Sequence, residues 1–188
     1  FALAYTDAKP TDTTFTPKID EDINVHVYGL THVDANIYAH EDILVTGNTY
    51  ISGNVVASKD FTLTGNAYVT GNVSITEELT VSNNVYADKD LEVVGNVYVD
   101  GNVVAYKDFT LTGNAYVTGN VVASKDFTLT GNAYVSGNVS ITEELTVSNN
   151  VYADKDLEVM GNVYVDGNVV ASKDFTLTGN AYVTGNVV

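Results

Sequence analysis

The side chains that could do chemistry in this chain are few, and they fall at regular places. His26, His32 and His40 are its three histidines, and the chain has no cysteine. A Cys/His metal set, a disulfide framework and thiol chemistry therefore have no material. Counted on a six-residue ruler from Ile23, the histidines take positions 4, 4 and 6, which point outward, so they read as surface residues. Acidic residues recur at ruler corners, but without the G-G-x-G-x-D spacing of calcium-binding coils. Outward Thr-x-Thr pairs stand at Thr62/Thr64, Thr110/Thr112, Thr128/Thr130 and Thr176/Thr178. Such rows could order water or match a crystal face. Only the middle two pairs stack, and Thr146 with Ser148 extends that patch by one coil. No catalytic residue, metal ligand or cofactor-binding residue emerges, so the chain does not read as an enzyme.

The ruler itself is the strongest signal. All fifteen glycines, from Gly29 to Gly185, fall on one phase of it, and from Gly47 each is followed by Asn. Strict spacing over this length marks one small unit used repeatedly. Hexads such as GNVYVD, GNAYVT, KDFTLT and EELTVS carry apolar residues at positions 3 and 5 and polar residues or Tyr at 4 and 6. Apolar recurrence at i and i+2 followed by a break is strand followed by turn; a helical face needs i, i+3, i+4. Gly at position 1 suggests positive φ, and Asn and Asp at position 2 suit a bent backbone.

Every strand has the same inward phase, so successive strands coil rather than fold back as hairpins. The order K-D, G-N, G-N repeats every eighteen residues where copies abut. The expected fold is all-β: a parallel β-solenoid with three hexads per coil. Residues 23–188 would give about nine coils and a rod roughly 43 Å long, at about 4.8 Å per coil.

Stacking at eighteen residues aligns like with like. Asn48, Asn66, Asn84, Asn102, Asn120 and Asn138 form one corner column; Asn96, Asn114, Asn132, Asn150 and Asn168 form another. Their amides can hydrogen-bond from coil to coil. Tyr50, Tyr68 and Tyr86 make one outward aromatic column and Tyr98, Tyr116, Tyr134 and Tyr152 a second. Inside, Phe109 lies under Phe127. Phe61, Phe109, Phe127 and Phe175 are each followed one strand later by Ala67, Ala115, Ala133 or Ala181, large against small, as a core of constant width requires.

At 188 residues, 45% hydrophobic and 17% charged, the chain suits one elongated domain. Its net charge of −16 argues against nucleic acid and anionic membrane surfaces as partners. No apolar run is long enough to insert in a membrane. Lys89, Lys107 and Lys125 stack beside Asp90, Asp108 and Asp126, which would set columns of opposite sign in contact. An acidic chain free of cysteine that begins with Phe1 is compatible with export, so an extracellular or cell-surface setting is expected, with a cytoplasmic cytoskeletal filament as the alternative.

Residues 1–22 leave the pattern, contain Pro10 and Pro17, and read as an extended leader. Phe1, Leu3 and Tyr5 alternate with small residues like a half-buried strand that could pair with its own coil or a neighbour's. The last hexad breaks off at Val188 with no polar cap. Inward Ala181, Val183 and Val187, with Val188, at one end, and Val25, Val27 and Val33 at the other, are the expected contacts of a head-to-tail homopolymer. Lateral bundling could use the Tyr columns.

The recurring V-x-G-N-V-x-V step, as in Val99-Asp100-Gly101-Asn102-Val103, resembles the bactofilin family of polymer-forming solenoids. The resemblance implies a three-sided β-helix that polymerises end to end without nucleotide and acts as a scaffold. Hexapeptide acyltransferases share a hexad solenoid too, but they place a catalytic histidine between subunits, and the best candidate here would be His32. Residues 53–118 recur as 119–184 with three changes, Thr70/Ser136, Val94/Met160 and Tyr106/Ser172. The offset is eleven hexads, which three does not divide, so the second copy turns onto different walls. That suits a function indifferent to wall, such as forming a filament. Ice binding or adhesion by a monomeric solenoid through its Thr and Tyr ladders is the alternative.

Overall fold

In a computed structural model, residues 25–188 are described, with side-chain placement from residue 29 onward. They wind as an all-β parallel solenoid with three strands per coil and no helix. The first coil carries β1 (Val25–Tyr28), β2 (Thr31–Val33) and β3 (Ile37–Ala39), and the series runs to β27 (Ala181–Val183). Every third strand joins the same sheet, which gives three nine-stranded walls. Wall 1 begins with β1, wall 2 with β2 and wall 3 with β3. Register is eighteen residues throughout, as in Ala115↔Ala133 and Phe109↔Phe127. The leader proposed for residues 1–22 lies outside the described residues.

Almost every strand is three residues long because only hexad positions 3 to 5 are extended before the chain turns. Each strand bonds in both axial directions. Ala115 N–H donates to Asn132 O in the following coil (2.9 Å), and Thr118 N–H donates to Val99 O in the preceding one (3.0 Å). Positions 3 and 5 point inward and are buried, for example Phe109, Leu111, Ala115 and Val117. Phe109 and Phe127 stack inside with centroids 4.8 Å apart. Burying each such ring contributes about 1.5–3 kcal/mol. Ala115 and Ala133 on the next wall leave the space those rings need.

The structure corrects the expected role of glycine. Only Gly29 (φ 93°) and Gly47 (φ 131°) have positive φ. The others serve close approach between coils. A Cβ on Gly113 would stand 2.3 Å from the carbonyl oxygen of Gly95, to which the Gly113 N–H donates at 3.2 Å. Corners without glycine make the same bond at 3.2 Å (Glu143 N–H to Lys125 O) and 3.4 Å (Lys173 N–H to Lys155 O), so the Cβ clash rather than the bond length marks the glycine corners. Glycine thus lets a corner close on the one beneath it.

Thr31 and Thr49 are exceptions in the core. They sit in register on wall 2, and their hydroxyls are buried without a hydrogen-bond partner. Each forgoes a bond it makes in water.

Two outcomes follow from these contacts. Gly113→Ala should destabilise the fold by about 1–3 kcal/mol, because the added methyl meets backbone rather than a movable side chain. Thr49→Val should stabilise it by about 1–2 kcal/mol by removing an unsatisfied buried hydroxyl while keeping its shape. Urea unfolding followed by circular dichroism measures both.

Candidate functional site

The features that could act on something outside the chain are its corner ladders, its tyrosine rows and the last coil of its core toward residue 188. Hexad position 2 supplies the ladders, and the bonding there uses backbone as well as side chain. Asn66 donates both its backbone N–H (2.9 Å) and its Nδ2–H (3.1 Å) to Asn48 Oδ1. Asn84 and Asn102 repeat the pair upward. Asn120 and Asn138 continue through their backbone N–H groups at 2.8 and 2.7 Å. The second column runs from Asn96 through Asn114, Asn132, Asn150 and Asn168 in the same way and extends to Asn186.

A third column was read from sequence only in its aspartate stretch, and as a partner for lysines, because its residue type changes along the rod. It starts as Asn36, Asn54 and Asn72, then becomes Asp90, Asp108 and Asp126. Asp carries the same acceptor oxygen as Asn, which was the available signal. Where Asp stacks on Asp the bonds are longer: Asp108 N–H lies 3.5 Å from Asp90 Oδ1 and Asp126 N–H 3.3 Å from Asp108 Oδ1, whereas Glu144 N–H lies 2.8 Å from Asp126 Oδ1. Stacked carboxylates repel and have no amide hydrogen to donate to one another. The expected pairing of Lys89, Lys107 and Lys125 with Asp90, Asp108 and Asp126 is absent. The aspartates turn into the corner to accept backbone N–H groups instead. Among the described residues, an ion pair joins Lys59 to Glu41, and a hydrogen bond joins His32 Nε2 to Asp34 Oδ1 at 3.0 Å. Glu41 also holds the Lys59 ammonium above its ordinary pKa, through a hydrogen bond and its charge. Both pairs are solvent-exposed and individually weak.

The tyrosine rows lie flat on one another. Tyr50, Tyr68 and Tyr86 stack on wall 2 at 4.8 Å. Tyr98, Tyr116, Tyr134 and Tyr152 stack on wall 1 at 5.0, 5.2 and 5.1 Å. Sequence reasoning missed a third row, Tyr164 on Tyr182 at 5.0 Å on wall 3, which the eighteen-residue spacing could have shown. Desolvation, then its neighbours Tyr86 and Tyr50, raise the Tyr68 phenol above its ordinary pKa. The duplication moves equivalents between walls: Tyr68 pairs within wall 2 and Tyr134 within wall 1.

The two ends of the described rod are unequal. Toward residue 188, Phe175, Leu177 and Val183 are half-buried, Ala181 is exposed, and Val187 and Val188 are 51% and 76% exposed. Toward residue 25, Val33 and Ala39 are buried. The side chains of Val25 and Val27 are not among those described, and Phe1, Leu3 and Tyr5 lie outside the described residues. His32 and His40 are exposed, and His32 meets Asp34 and, at 6.4 Å between ring centroids, Tyr50.

No group of three or more His, Cys, Asp or Glu among the described residues is arranged to hold a metal ion. No described helix is long and apolar enough to cross a membrane. Compared with protein-family models, curated proteins and solved structures, the chain matches none of them.

Asp108→Asn should shorten the third ladder and stabilise the fold by about 0.5–1.5 kcal/mol, by removing a stacked charge and adding an Nδ2 donor. The gain should shrink in high salt, which screens the repulsion that the native column carries. Urea unfolding at low and high ionic strength reads both effects.

Proposed function

We propose that this chain is a structural subunit whose coils stack end to end into a filament, in an extracellular or cell-surface fibre. One observation carries the reading: every coil meets the next through the same parallel register, with inward side chains that are apolar almost throughout. The coil bearing Phe175, Leu177, Ala181 and Val183 would offer another copy what each inner coil offers its neighbour. Such a contact is heterologous and does not close, so it propagates. The step pattern shared with bactofilins supports the same direction, though no family match accompanies it. The duplicated walls support it as well, since axial stacking needs no particular face outward.

Ice or crystal binding has less behind it. Thr110, Thr128 and Thr146 stack in register on wall 3, but Glu92 and Tyr164 bound the row on either side. That leaves a patch of only a few coils.

Negative-stain microscopy with concentration-dependent light scattering tests the proposal. Rods many times the length of one subunit are expected. The double variant Leu177→Lys and Val183→Lys should stay single while keeping the β-sheet circular dichroism of the parent. Parent rods that never exceed one subunit at any concentration would overturn it.

A further inference from the structure

Tyrosine is the dominant aromatic here, with 13 residues against six Phe and no Trp. From Tyr50 to Tyr182 most of them stand in rows. Within the rows, ring planes differ by 1° to 8° and centroids by 4.8 to 5.2 Å. The rows follow one another along the rod, passing from wall 2 to wall 1 and then to wall 3. Tyr106 is different. It is more exposed than Tyr116, 56% against 38%, yet eighteen residues to either side stand Asp88 and Ser124, so no ring lies above or below it.

We propose that the tyrosine rows are sites of oxidative cross-linking, at which a one-electron oxidant joins neighbouring rings as dityrosine and ties one coil covalently to the next. Each of two stacked phenols gives one electron to the oxidant and one proton to water, leaving two phenoxyl radicals. Spin density on the carbon ortho to each oxygen pairs into a new carbon–carbon bond. Each bonded carbon then loses its hydrogen as a proton while its ring oxygen takes one up, restoring two phenols. Two electrons and two protons leave per bond, and the oxidant accepts both electrons.

The fold makes this reaction local. A phenoxyl formed on Tyr116 has a second ring held on either side of it by backbone register, so coupling needs a swing of side chains rather than an encounter between molecules. Their outward faces leave room for that swing. Holding reactants in place in this way converts a bimolecular step into an effectively unimolecular one. The cross-link closes an eighteen-residue loop and therefore also restricts the unfolded chain, as a disulfide of that span would. It forms within one molecule and does not rest on end-to-end assembly.

The test is photo-oxidation of the dilute chain with ruthenium tris-bipyridyl and persulfate, followed by cleavage after lysine and mass spectrometry. Peptides 108–125, 156–173 and 174–188 each hold a single tyrosine: Tyr116, Tyr164 and Tyr182 respectively. The expected products are 108–125 joined to its flanking peptides 90–107 and 126–155, and 156–173 joined to 174–188, each lighter by two hydrogens. Tyr116→Phe should abolish the first set and leave the Tyr164–Tyr182 product; Tyr106→Phe should leave every product in place. The same chain unfolded in urea should lose this pairing pattern. Products dominated by Tyr106, or an equal yield of the same pairs from the urea-unfolded chain, would overturn the proposal.

Discussion

The structure depends on one constraint: each coil must present, eighteen residues later, a hydrogen-bonding and packing partner for the coil beneath. Strands of three residues bury too little to stand alone, and a corner every six residues would leave bent backbone groups unpaired. The side-chain oxygen at hexad position 2 removes part of that cost by accepting the backbone N–H directly above it. Asn does this and donates as well, Asp only accepts, and glycine at position 1 brings the two corners within reach. Core composition obeys the same constraint, since a Phe on one wall is tolerated only opposite a small residue on another.

Much of this was legible in the sequence because the periodicity is a direct image of geometry. Three hexads per coil followed from the spacing of the Lys-Asp hexads, and the alternation of positions 3 and 5 named the inward residues that prove buried. Tyr98 over Tyr116 and Phe109 over Phe127 could be placed in contact by counting alone. What could not be read came from distances shorter than the repeat. The purpose of Gly113 is set by a carbonyl oxygen in another coil, which no local pattern displays. Whether Asp108 faces Lys107 or turns into the corner is a competition between an exposed ion pair and a backbone N–H, and sequence gives both equal standing. Thr31 and Thr49 follow the inward phase faithfully; their cost lies in a hydroxyl that finds no acceptor there.

The long duplication separates architecture from surface. Residues 53–118 and 119–184 share the same core, their three differences all being outward, and the solenoid accepts the second copy one wall away from the first. Outward groups do not share that freedom. A flat recognition surface would need its equivalents in line, whereas here Tyr68 and Tyr134 face in different directions.

Contacts that always span eighteen residues also have a mechanical meaning. If the chain were drawn out from one terminus, each coil would peel from the next through the same short set of bonds, freeing about 60 Å of contour at a time. The rod would yield by even steps rather than by one collapse, absorbing work in instalments set by the circumference of a single turn. Cutting or shielding a distant coil would leave the size of those steps unchanged.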